Sequence, residues 1–286
     1  MPYSIGITPI LDDLRTAVIN GAVTAGFVDR GAGPYGVGSR LLSLGATCFY
    51  ELAIRDGRLW LRGASDAGFA DASGWVSLCA DDWFNIVYPA TWRVFAFADE
   101  VYLVVQHQVN CCHWLAFGKS TIPLPASGCW VAASYLGQTG GEYETTLLWD
   151  GGSGTTYRQT SCRLFGGYGA ANSFLHTEAG QWNLSNSITA SRFPLALLDA
   201  QPSAYNQEAI LIPVIAFAVT PSLMGPGVQL QHARNLRIDH YEFAQIITLG
   251  GDKWMVFPWY KKNTNPRSYE SRATGTFGWA VRYEGP

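Results

Sequence analysis

The chain has 286 residues, about twice a typical single domain, so one large β domain or two ordinary domains fit and a sizeable core can be buried. Lys and Arg number 19 against 22 Asp and Glu, a net charge of -3, which argues against a nucleic-acid groove fed by bulk positive charge. With 14% charged, 48% hydrophobic and 14% aromatic residues, extended disorder and long solvated coiled coils are poor readings.

In chain order, the first segment, MPYSIGITP, lacks a basic stretch followed by an apolar one, so no secretory signal is expected and synthesis in a cytoplasm follows. Thr8 and Pro9, then ILDDLRTAVIN and Gly21, carry the punctuation of an amphipathic helix over Pro9 to Asn20. Asp12 and Asp13 would favour the positive end of its dipole, and Ile10, Leu11, Leu14, Val18 and Ile19 would form its apolar face.

Beyond it, punctuation is that of strands and turns: 31 glycines and 14 prolines are spread along a chain rich in Trp and Tyr. Gly31 to Gly36 formally fits GxGxxG, but no strand precedes it, no helix opens on it, and Pro34 removes an amide, so it reads as a plain glycine loop. CFYELAI and RLWLRG flank Arg55-Asp56-Gly57, the best hairpin signal in the chain. Trp92 to Phe97, Val101 to Gln106 and His113 to Gly118 predict a meander.

The stretch from Gly137 to Gln159 has the composition of long loops, and Arg163 to Asn186 is read the same way. From Ala209 the strand pattern resumes, with a Gly250-Gly251-Asp252 hairpin and a closing strand in TFGWAVRY. The apolar run Ala209 to Val219 is shorter than the roughly 20 residues of a spanning helix and contains Pro213, so no membrane insertion is expected. Lys261 and Lys262 read as a solvated strand end. Trp114 with Phe117 and Trp254 with Phe257 repeat one spacing in two hairpins, consistent with a duplicated module or with two hairpins of the same period. The division drawn is residues 1–191, a helix and β domain with long loops, and 192–286, a C-terminal β region. The fold class expected is mainly β: antiparallel sandwich or barrel-like sheets with one short N-terminal helix.

The six cysteines have no spacing of a secreted disulfide framework and are expected as reduced, mostly buried thiols. His107, Cys111, Cys112 and His113 form the one dense set of soft ligands, acceptable to zinc or an iron–sulfur centre. Adjacent strand cysteines point to opposite faces and no CxxC accompanies them, so buried turn cysteines beside a strand histidine are preferred, with no metal and no cofactor. No GxSxG, HExxH or protease-type cysteine signature is present, and no catalytic residue is assigned. Glu142 with Glu144, and Asp81-Asp82 before Trp83, would be the carboxylates of a glycan hydrolase. Trp60, Trp92, Trp114, Trp254 and Trp279 are expected in the core, while Trp149 and Trp182 are better placed to meet a ligand.

Three features together carry a resemblance: Ala25-Gly26-Phe27 after the helix, the hairpin segment Trp114 to Lys119, and a tail of Leu249 to Pro258 closed by Gly275 to Ala280. Over most of its length the chain resembles virion structural proteins of tailed bacteriophages, of the tail tip, baseplate or adsorption apparatus type. The resemblance implies a non-enzymatic, multi-copy subunit in the virion, made in the host cytoplasm and serving assembly and host adsorption. Its partners would be copies of itself, other tail or baseplate proteins, and a host glycan or receptor. Tyr143, Trp149, Tyr157, Tyr168, Phe174 and Trp182 are the interface candidates, as aromatics in weakly charged loops. The alternatives are a carbohydrate- or receptor-binding module and a β-rich glycan hydrolase.

Overall fold

A computed structural model describes residues 3–78, 86–134, 173–178, 180–184, 209–219, 224–258, 262 and 277–286. The fold is mainly β with antiparallel sheets and one helix near the N-terminus, as expected. No helix among the described residues is long and apolar enough to cross a membrane.

The chain opens with β1 (Tyr3–Thr8), α1 (Leu11–Thr24) and β2 (Val28–Gly31). Next come β3 (Ser39–Leu44), β4 (Cys48–Arg55), β5 (Arg58–Ala64) and β6 (Val76–Leu78). The meander follows as β7 (Ala90–Ala96), β8 (Glu100–Gln108), β9 (Cys111–Lys119) and β10 (Cys129–Ala133), with β11 (Ser173–Glu178) and β12 (Gln181–Leu184) further on. The last group is β13 (Ile212–Val219), β14 (Met224–Arg237), β15 (Ile246–Leu249), β16 (Asp252–Pro258) and β17 (Phe277–Arg282).

These strands make three sheets: a seven-stranded one ordered β1-β7-β8-β9-β10-β11-β12, an N-terminal one ordered β2-β3-β4-β5-β6, and a C-terminal one ordered β13-β14-β17-β16-β15. The seven-stranded sheet lies between the other two. Because side chains alternate across a strand, β8 sends Tyr102 and Val104 one way and Val101, Leu103 and Val105 the other. The first set meets Phe257, Trp279 and Val281 of the C-terminal sheet. The second meets α1 and Leu42, Tyr50, Leu52 and Leu61 of the N-terminal sheet. A strand buried on both faces has no polar face to show, which is why VYLVV and HWLAF read as nearly unbroken apolar runs.

Residues from both sides of position 191 share the core under the C-terminal sheet, so the described parts of the two regions are packed as one body. The position near Arg192 itself lies outside the described residues. The two similar hairpins turn opposite members of their aromatic pairs into that core: Trp114 from one, Phe257 from the other. Trp114, Trp254 and Trp279 are buried as expected, and Trp130 joins them, whereas Trp60 and Trp92 are half-buried.

The helix differs from its sequence reading at both ends. Its N-cap is Ile10, with no side-chain cap. Thr8 stabilises the approach instead, accepting from the Ile10 N–H at 3.1 Å and donating to Asp13 at 2.6 Å. Gly21 does not stop the helix. A Cβ there would lie 2.6 Å from Val94 Cγ1, so Gly21 is where α1 presses on β7. The true end is a Schellman motif: Gly26, at φ +108°, donates to Val23 O, and Phe27 donates to Ala22 O.

Other turns agree with their chemistry. Asp56 and Gly57 take positive φ in the β4–β5 hairpin, and Gly250 and Gly251 do so in the β15–β16 hairpin. Within Arg163–Asn186, read as loop, β11 and β12 pair as a hairpin on the edge of the central sheet. Lys262 is half-buried, not a solvated end: its ammonium donates to the Ile238 and Asp239 carbonyls.

Replacing Gly21 by Ala tests the close approach. Helix propensity favours Ala by about 1 kcal/mol, but a methyl forced into a filled space costs about 1–3 kcal/mol. Urea unfolding is expected to show a net loss of about 1 kcal/mol in the parent, turning into a gain when Val94→Ala makes room.

Candidate functional site

Four places in the described structure concentrate polar chemistry, and one of them lines a cavity.

The His/Cys cluster is divided by the fold. Cys111 and Cys112 enter the core under the C-terminal sheet, and the Cys112 thiol donates to Pro258 O at 3.6 Å. His107 and His113 stack on each other with centroids 4.8 Å apart. His113 Nδ1 lies 3.3 Å from Ser134 Oγ, and burial pushes His107 down to about 4. Among the described residues no group of three or more His, Cys, Asp and Glu side chains is arranged to hold a metal.

The second place is Glu100, fully buried between the central and C-terminal sheets. Its carboxyl receives the backbone N–H groups of Gln231 (2.9 Å) and His232 (3.0 Å) of β14, and the Tyr102 hydroxyl (2.6 Å). It therefore ties two layers by hydrogen bonds where neighbouring contacts are apolar. His232 also stacks flat on Phe97 at 3.7 Å and reaches Asp99 at 3.2 Å. Burial pushes Glu100 up to about 7, against the pull of its donors.

The third place is the outer face of the N-terminal sheet. Glu51 is fully buried there, paired with Arg62 at 2.6 Å, and its other oxygen accepts the Tyr35 N–H at 2.6 Å. The Gly31–Gly36 loop covers this carboxylate, and a Cβ at Gly33 would collide with it. Arg62 sits between the rings of Phe69 (4.6 Å) and Trp75 (4.5 Å). The glycine loop thus serves a buried ion pair.

The fourth is a cavity of about 670 Å³ at the seam between the N-terminal and central sheets. Its wall is the β9–β10 connection, Lys119 to Gly128, with Thr47, Ser65 and Asp71 from the N-terminal region and His176 from β11. Ser127 Oγ lies 2.6 Å from His176 Nδ1, and the Ser127 N–H points at the same nitrogen at 3.3 Å. That nitrogen is therefore the acceptor, and the ring proton is placed on Nε2. His176 Nε2 is 2.9 Å from Asp71 Oδ2, with its N–H off the line between the two atoms.

Asp71 is held in turn by Ser65 Oγ (2.8 Å), the Gly180 N–H (3.2 Å) and the Trp182 indole N–H (3.1 Å). Trp182 also stacks on the His176 ring at 4.9 Å. Burial holds His176 below its ordinary value, against the pull of Asp71. Beneath the site, the Cys48 thiol faces Ser127 O at 3.7 Å, and its hydrogen bond with Cys129 holds it below the usual thiol range.

Of the interface candidates, Tyr143, Trp149, Tyr157 and Tyr168 lie outside the described residues, as do Asp81, Asp82, Trp83, Glu142 and Glu144. Phe174, expected at an interface, is a correction: it is 5% exposed and packs in the core beside α1 and the N-terminal sheet, its ring filling the space over Gly74. Trp182 is half-buried, and its indole orients Asp71 and His176. Sequence reasoning missed Ser127, His176 and Asp71 because they come from three separate segments and share no motif. No family model matches the chain, and no curated protein matches it in sequence.

The pH dependence of stability reads the Glu100 clamp. Below pH 4.5 the carboxyl is protonated in both states; between about 4.5 and about 7 the unfolded chain releases the proton and the folded chain keeps it. Stability thus falls as pH rises through that window, by on the order of 3 kcal/mol, and levels off above it. Chemical denaturation of the parent and Glu100→Gln is expected to give curves that diverge across this window. Parallel curves would remove Glu100 as the cause.

Proposed function

We propose that this chain is a structural subunit of a tailed-phage particle, working in the tail tip or baseplate through contacts with copies of itself and neighbouring subunits. The observation that carries the reading is the character of two sheet edges. β1, at the margin of the central sheet, contains no charged residue and exposes Ile5 (53%) and Ile7 (74%). β15, at the margin of the C-terminal sheet, is also uncharged and exposes Ile246 and Leu249.

Soluble monomers blunt such edges with charge, proline or bulges, because a bare edge is a template for another strand. Two of the remaining margins illustrate the contrast. β2 carries Asp29 and Arg30 on the edge of the N-terminal sheet, and β13 carries Pro213. Of the other two margins, β6 is three residues long and buried and β12 carries no charge; among the described residues β1 and β15 are the uncharged margins that expose aliphatic side chains, which suits a subunit covered there by neighbours. The resemblance to phage virion proteins supports a place in the particle, and the exposed edges support a contact in which β1 of one copy is laid antiparallel on β1 of the next about a twofold axis.

Sedimentation of the purified chain at micromolar concentration is expected to show a concentration-dependent oligomer. Ile5→Lys with Ile7→Lys should give a folded monomer that fails to enter particles. A parent that stays monomeric at all concentrations, with a double variant that is still incorporated, contradicts the proposal.

A further inference from the structure

We propose that the cavity between the N-terminal and central sheets is a hydrolytic site for short carboxylic esters of a polar alcohol, with Ser127 as nucleophile, His176 as base and Asp71 as its orienting carboxylate. The inference is independent of the assembly reading, since it rests on the cavity and the assembly reading on the sheet edges.

A serine hydroxyl becomes a nucleophile when a neutral imidazole accepts its proton and a carboxylate fixes the ring. Ser127 Oγ has that relation to His176 Nδ1 at 2.6 Å. It also accepts the Cys129 N–H at 3.3 Å, which turns the hydroxyl proton toward the imidazole and stabilises negative charge developing on the oxygen. The two ring nitrogens exchange the roles they have in the familiar protease arrangement, but either can serve as base when the other carries the proton.

The ring cannot rotate freely. Trp182 stacks on it, and Asp71, which faces Nε2, is itself fixed by donors from Ser65, Gly180 and Trp182. A carboxylate that only satisfied a stray imidazole would not need three further donors.

The chemistry balances with water as the only co-reactant. Ser127 Oγ attacks the ester carbonyl carbon and its proton passes to His176 Nδ1. The bond to the leaving oxygen breaks, that oxygen takes the proton from Nδ1, and the alcohol departs, leaving an acyl-serine. Water then attacks the acyl carbon, gives a proton to Nδ1, and the carboxylic acid leaves as that proton returns to Ser127. Lys119 lines the cavity wall and is the lysine available there to the charge that develops on the carbonyl oxygen. The Ser65 and Ser120 hydroxyls donate to Asp71 and to Gly227 O, whereas the Thr121 hydroxyl accepts from Gln231 at the exposed end of the same wall and retains a proton to donate, which favours a polar alcohol moiety over a long aliphatic one.

The test is covalent labelling of the intact chain with a fluorophosphonate probe, located by peptide mass mapping, together with hydrolysis of p-nitrophenyl acetate. One adduct per chain is expected on Ser127, and none there in Ser127→Ala. Asp71→Asn should slow labelling and hydrolysis by about 100-fold or more. The labelling rate should rise with pH through an inflection below the ordinary histidine value and then stay flat, a profile that a merely structural serine would not give. The labelling of the parent requires no variant to fold. Absence of an adduct on Ser127 in the folded parent, or hydrolysis by Ser127→Ala at the parental rate, overturns the proposal.

Discussion

The middle of the seven-stranded sheet, β8 to β10, has no wet face, and most of the structure follows from that constraint. A sheet apolar on both sides must be covered twice, so the chain supplies five-stranded sheets on either side and places α1 where the N-terminal sheet stops. Aromatics do much of the filling: Tyr102, Trp114 and Trp130 on one side, Phe117 on the other, each burying a large area per residue ordered. Two buried polar groups tie these layers together. Glu100 joins the central sheet to β14, and the Tyr50 hydroxyl joins β4 to Gly118 O at 2.7 Å.

The cavity is a product of the same stacking. Where the N-terminal sheet ends over β10 and β11, apolar cover gives way to the β9–β10 connection, and polar side chains from three segments meet there. Two layers anchor them: the N-terminal one holds Asp71 in the loop after β5, and the central one holds Ser127 at the entry to β10 and His176 on β11. Sheet stacking fixes their separation more rigidly than a single loop would, which is the condition for a preorganised site. The undefended margin β1 lies at the opposite end of the central sheet from β11, and β15 lies in the C-terminal sheet, so contact and chemistry occupy separate parts of the molecule.

What the sequence made legible was local. The Asp56-Gly57 and Gly250-Gly251 turns need positive φ, and the residues that allow it sit between alternating or apolar runs, so both hairpins could be placed. The helix was visible from its acids and apolar spacing. Gly21 misled because glycine marks two different needs, a left-handed end and a close approach, and only packing against Val94 separates them. β1 was missed although Tyr3, Ile5 and Ile7 alternate with Ser4, Gly6 and Thr8, because six residues with a glycine inside and no turn signal before them make a short and weak pattern. Phe174 passed for a surface aromatic because its glycine- and serine-rich neighbours suggested loop, whereas β11 carries it into the core. Asp71, Ser127 and His176 were illegible for a stricter reason: their relation is made by sheet order, and no local spacing encodes it.

Native-state hydrogen exchange, resolved by residue, measures the central constraint directly. If the middle sheet is sealed on both faces, the amides of Val101 to Val105 and Trp114 to Phe117 exchange only through global unfolding, at one common and slowest rate. Amides of β1 and β15, on open margins, then exchange faster by orders of magnitude. Exchange of the β8 and β9 amides at the rate of β15 would contradict a doubly covered sheet.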